Sequence, residues 1–157
     1  MIADRFRDHR SVGIAPRRLV PSSRVKTPSV AVLLRCYTRQ GMKAHTRRAV
    51  AYIVVRLVEK KDSDFVYDHD AGKRFSFGGK VSSTAVDVYD YERRCPIGGS
   101  LDSLYHYGNR KPFRLAIRGS EFSGYDDDTG KAYSGSVDHG LVNIYDSEVK
   151  KDFDYSV

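Results

Sequence analysis

The sequence predicts an all-β fold, a small antiparallel barrel or sandwich with an internal two-fold repeat, behind an irregular basic N-terminal arm. Three observations carry this: a duplicated strand-turn-strand pattern, a composition rich in strand and turn formers, and an abrupt change of charge along the chain. The 157 residues include 11 tyrosines, 7 phenylalanines and 13 glycines, which favour strands and turns over helices.

The repeat is explicit. Tyr67-Asp-His-Asp-Ala-Gly-Lys-Arg-Phe-Ser76 matches Tyr125-Asp-Asp-Asp-Thr-Gly-Lys-Ala-Tyr-Ser134 at six of ten positions. After a shift of two residues, Val86-Asp-Val-Tyr-Asp-Tyr-Glu92 matches Val142-Asn-Ile-Tyr-Asp-Ser-Glu148 at four of seven. Two copies are too few for an open solenoid, so packing about a pseudo-twofold axis is expected, with copies at about 49–101 and 111–157. Asp70-Ala-Gly-Lys73 and Asp128-Thr-Gly-Lys131 read as hairpin turns. Each aspartate caps its own turn, and each glycine takes the left-handed position of a three-residue hairpin.

Alternation supplies the strands. Phe75 and Phe77 oppose Arg74 and Ser76, and Val86 and Val88 oppose Asp87, Tyr89 and Tyr91. Phe113, Leu115 and Ile117 oppose Arg114 and Arg118, and Phe153, Tyr155 and Val157 oppose three polar residues. These are half-buried strands. The stretch from Ala49 to Lys60 is ambiguous. Val50, Ile53, Val54 and Leu57 fit a helical stripe, but β-branching favours a strand buried on both faces, and strand is the expectation.

Charge divides the chain. Residues 1–48 hold 12 Lys/Arg and two acids, a net +10, while residues 49–157 hold 15 against 18, a net −3. Pro16, Pro21 and Pro28 argue against a long helix in the arm, which is expected to be a solvated, disordered tail. Met42 is an alternative start of the natural protein. If the arm acts, Arg17, Arg18, Arg24, Lys26, Arg35 and Arg39 would contact a polyanion such as nucleic acid.

Chemistry is harder to find. The Asp-rich loops resemble the start of an EF-hand loop, but the position of its bidentate glutamate holds Gly79 or Val137, so that reading fails. No histidine spacing fits zinc. Cys95, beside Arg93 and Arg94, would be a reactive thiol if those arginines lower its pKa; packing is the simpler role. The repeated acids Asp90 and Glu92, with Asp146 and Glu148, would do acid-base work if they met across the pseudo-twofold; strand ends in solvent are the simpler reading. No cofactor and no membrane-spanning helix are expected, and a cytoplasmic location is. The sequence therefore points to a non-enzymatic binding or interaction module, with Tyr89, Tyr91 and Tyr145 lining a barrel mouth for a small ligand or a partner protein. Polyanion binding through the arm and an enzyme using the repeated carboxylates are the alternatives.

Overall fold

The computed structural model describes residues 41–157. The arm contacts expected at Arg17, Arg18, Arg24, Lys26, Arg35 and Arg39 lie outside the described residues.

One helix, α1 (Ala44–Val58), precedes ten strands. They are β1 (Phe65–Asp68), β2 (Lys73–Val81), β3 (Val86–Asp90), β4 (Cys95–Ser100) and β5 (Ser103–His106), followed by β6 (Lys111–Arg118), β7 (Glu121–Asp126), β8 (Lys131–Asp138), β9 (Leu141–Asp146) and β10 (Lys151–Ser156). Every strand pairs antiparallel with its sequence neighbour, and β1 pairs with β10 to close an up-and-down barrel. Closure decides for barrel over sandwich and leaves no edge strand among the described residues.

The four segments matched in sequence fall in four of five hairpins built alike: residues 67–76 and 125–134 span β1–β2 and β7–β8, and residues 86–92 and 142–148 open β3–β4 and β9–β10. The first strand of each ends in tyrosine followed by a short polar residue: Tyr67-Asp68, Tyr89-Asp90, Tyr105-His106, Tyr125-Asp126 and Tyr145-Asp146. A four-residue loop follows. Asp68 pairs with Lys73, Asp90 with Cys95, His106 with Lys111, Asp126 with Lys131 and Asp146 with Lys151. The unit that recurs is thus the single hairpin, two in each sequence copy and a fifth, β5–β6, that spans the segment between the copies.

The turns depart from the three-residue hairpin expected. The loops have four residues, and the cap comes from the last strand residue, two positions before the aspartate singled out in the sequence. Asp68 accepts the Ala71 amide, Asp90 that of Arg93, Asp126 that of Asp128 and Asp146 that of Glu148. His106 does the same through Nδ1 for Gly108. A side chain pointing inward from the strand end sits under the loop amides, whereas Asp70 and Asp128 point away and pair with Lys151 and Lys43.

The last loop residue is left-handed in all five hairpins. Gly72 and Gly130 both have φ +67°, as the turn sequences require. Arg94, Arg110 and Lys150 adopt φ of 52°, 56° and 54° at the same place, where a Cβ is disfavoured. Lys150 is exposed, so Lys150→Gly is expected to stabilise the domain by about 0.5 kcal/mol or more. A rise in the urea midpoint at unchanged slope checks this; a fall would refute it.

α1 replaces the strand expected at Ala49 to Lys60. Its residues from Ala49 to Val55 are fully buried on every side, because the helix runs inside the barrel. Ten strands enclose more space than wall side chains alone fill, and a helix of about 22 Å occupies it. Met42, just before α1, donates its amide to Asp146 at the hairpin-loop end. Glu59, just after α1, accepts the Gly140 amide at the opposite end. Enclosure explains the misreading: a helix apolar all round is a buried helix, and its β-branched residues cost less than the empty lumen would.

The inward residues of the wall pack on α1. Tyr52 stacks on Phe77 with ring centroids 5.1 Å apart. The Arg47 and Arg48 guanidinium groups lie over Phe153 and Phe75, 3.6 Å and 3.4 Å from the ring centres. The outward face is polar, with Arg74, Lys80, Asp87, Arg114, Arg118, Glu121, Asp152 and Asp154. This is the reverse of a lipid-facing wall, and no helix among the described residues is long and apolar enough to cross a membrane.

Candidate functional site

Two places concentrate polar groups: a buried ring at the loop end of the barrel, and a concave patch on its outer wall.

The ring follows from the repeat. The five capping residues Asp68, Asp90, His106, Asp126 and Asp146 are each at most 3% exposed. They surround the entry of α1, which supplies cations. Arg48 Nε donates to Asp68 at 2.8 Å. Arg47 Nη1 lies 3.7 Å from Asp146, donates to the Met42 carbonyl, and its Nε donates to Tyr155 Oη. Burial raises the pKa of Asp90 and of Asp126 above the usual aspartate value.

His106 stands where the other hairpins have aspartate. Since Nδ1 accepts the Gly108 amide at 3.1 Å, the proton belongs on Nε2. Nε2 faces Asp90 Oδ2 at 3.9 Å and has no hydrogen-bond partner among the described residues. His45 of α1 packs against the His106 ring edge-on, at 4.9 Å between centroids, and its Nε2 donates to Asn109 Oδ1. Burial lowers the pKa of His106 to about 4, helped by His45 and Arg93, and lowers that of His45 as well. At neutral pH His106 is therefore a neutral imidazole.

Cys95 Sγ lies 3.9 Å from His106 Nδ1, a proximity that eleven residues of separation hide in the sequence. The thiol is 8% exposed. Its pKa is raised, because burial outweighs the nearby Arg93 charge, so the activation that flanking arginines would give is absent and packing, the simpler reading, stands. A neutral thiol beside a neutral imidazole is a packing contact, not a thiolate-imidazolium pair.

The repeated acids do not form pairs across neighbouring strands, since β3 is flanked by β2 and β4 and β9 by β8 and β10. Asp90 and Asp146 are turn caps; Glu92 pairs with Lys73 at 3.7 Å, and Glu148 lies in the loop after β9. Among the described residues no group of three or more His, Cys, Asp or Glu is placed to hold a metal ion.

Of the tyrosines proposed to line a mouth, Tyr89 and Tyr145 stand instead on the outer wall and Tyr91 lies in the loop after β3. Tyr89, Tyr91 and Tyr145 are exposed. Tyr89 and Tyr91 meet edge-on at 5.1 Å, while Tyr145 lies on β9, away from both. For Tyr89 and Tyr145 the reason is alternation: the next residue, Asp90 or Asp146, turns inward as the cap, so the tyrosine turns outward. Tyr67, Tyr105 and Tyr125 occupy the same position in the other hairpins. The fivefold recurrence of tyrosine before aspartate or histidine is the sequence signal that reveals this belt.

Tyr145 closes one end of the concave patch, whose volume is about 660 Å³. The patch is two cross-strand rows on β6 to β9. Ala116, Ser123, Ser134 and Tyr145 are successive register partners, and so are Arg118, Glu121, Ser136 and Asn143. Ser123 and Ser134 in the middle of the first row, and Ser136 in the second, are small and make the hollow. Phe122 supports it from within, beneath Gly135, where an added Cβ would lie 2.4 Å from its ring. The chain matches no family model, no curated protein and no solved structure.

Proposed function

We propose that this protein is a non-enzymatic binding module that meets a small ligand on the outer wall of its barrel. The observation that carries the reading is the helix in the lumen. In an up-and-down barrel the interior is the usual ligand site, but here α1 fills it with side chains that are wholly buried. Recognition must then use the outside. The hollow on β6 to β9 is within the size range of ligand sites. The polar ring at the loop end has a structural role in every member, since each caps a turn.

A screen of small polar and aromatic fragments, read by amide chemical shifts, tests this. Shifts should concentrate at Ala116, Ser123, Ser134, Ser136 and Tyr145. Hits confined to the loop end, or scattered without a common face, would overturn the proposal.

A further inference from the structure

Resting on that reading, we infer that the ligand of the outer hollow is a neutral sugar, a monosaccharide or the end of a short oligosaccharide. The hollow brings together hydrogen-bonding groups that the protein leaves uncommitted. Among the described residues the hydroxyls of Ser123, Ser134, Ser136 and Tyr145 have no hydrogen-bond partner within the chain. Asn143 commits its amide nitrogen to Asp154 at 2.9 Å, which leaves its side-chain carbonyl as an acceptor. Register fixes their spacing. Ser134 lies between Ser123 and Tyr145 in one row, and Ser136 between Glu121 and Asn143 in the other. Adjacent rows and strands are about 5–7 Å apart, so a single pyranose ring spans several of these groups at once.

The chemistry selects the class. A polyol needs donors and acceptors interleaved, and serine hydroxyls, a carboxylate, a guanidinium and an amide carbonyl supply both. The one large apolar side chain at the floor, Phe122, is 3% exposed beneath Gly135, so it offers little surface to an aliphatic ligand. Arg118 and Glu121 are direct cross-strand partners whose charges sum to zero, so the hollow offers a phosphorylated or acidic ligand no net positive charge. Tyr145, 37% exposed, presents an aromatic face at one end, against which the C–H face of a sugar ring can lie while the phenol bonds a hydroxyl.

An array of defined neutral oligosaccharides, probed with the chain, tests this, followed by titration of the best binder against the wild type and three variants. Tyr145→Ala should weaken binding at least about tenfold, and Ser134→Lys, which fills the floor, should abolish it. Tyr91→Ala, on the loop between β3 and β4, should leave it unchanged. Equal binding by all three variants, or loss only with Tyr91→Ala, would overturn the site. If no sugar binds while fragments still shift Ser134 and Tyr145, the sugar assignment falls and the binding-module reading stands. If neither sugars nor fragments engage this wall, both fall.

Discussion

Arg47→Ala is expected to lower the stability of the barrel by about 3–5 kcal/mol, a large part of the 5–15 kcal/mol typical of a domain. Arg47 is 8% exposed, and its guanidinium serves four partners. It donates to Tyr155 Oη at 3.1 Å and to the Met42 carbonyl, sits 3.7 Å from Asp146, and covers the Phe153 ring. Truncation leaves the Asp146 carboxylate and the Tyr155 hydroxyl buried without their cation, which costs more than the loss of an exposed ion pair. Arg47→Lys keeps the charge, but a point ammonium cannot span Tyr155 and Met42 together, so it should recover only part of the loss. Urea denaturation at neutral pH measures both. A loss under about 1 kcal/mol for Arg47→Ala would mean that the ring tolerates an uncompensated carboxylate.

The second large effect is a dependence on pH set by His106. Its folded pKa of about 4 lies below the ordinary 6.5. Above pH 6.5 both folded and unfolded states hold it neutral, and it costs nothing. Between pH 6.5 and about 4 only the unfolded chain takes up the proton, so stability falls with pH, by on the order of 3 kcal/mol in all. His45, whose pKa is lowered too, acts in the same direction. Asp90 and Asp126 oppose it: their raised folded pKa values make the folded state the better proton binder as pH approaches 3.8, which returns some stability there. Lys43 and Arg93 also face His106 and hold its pKa down. His106→Asn keeps an acceptor for the Gly108 amide and removes the titration. Denaturation midpoints taken from pH 7.5 to 4.5 should decline much less steeply in the variant. An unchanged slope would assign the acid sensitivity to another group.

The β architecture was legible from Gly72, Gly130 and the alternation around Val86 and Val142, because turn chemistry and period-two burial are local properties. The left-handed glycines followed for the same reason. The helix was not legible. Val50, Val54 and Val55 satisfy a buried strand and a buried helix equally, and only the ten-stranded lumen, a property of the whole chain, selects between them. That the hairpins at Tyr89, Tyr105 and Tyr145 are of the same kind as those at Gly72 and Gly130 was not legible, because Arg94, Arg110 and Lys150 replace the glycine that marks the other two. Tyr145 was picked out from the sequence, but the hollow beside it was not, since Ser123, Ser134 and Ser136 are unremarkable apart from the register that aligns them.

The enclosed helix constrains the order in which the chain assembles. If the wall closed first, the helix and the chain before it would have to thread through a mouth of the barrel, since Met42 lies at one end and Glu59 at the other. Closure around a helix already in place is therefore the expected order. The last join is β1 with β10, held by two registered pairs, Tyr67 with Ser156 and Asp68 with Tyr155, against four to six in most other joins. These partners are nearly ninety residues apart in sequence, and closing so long a loop is slow. Folding is then expected to end in a late step that seals this seam, and hydrogen exchange in the native protein should find its amides the first of the wall to open.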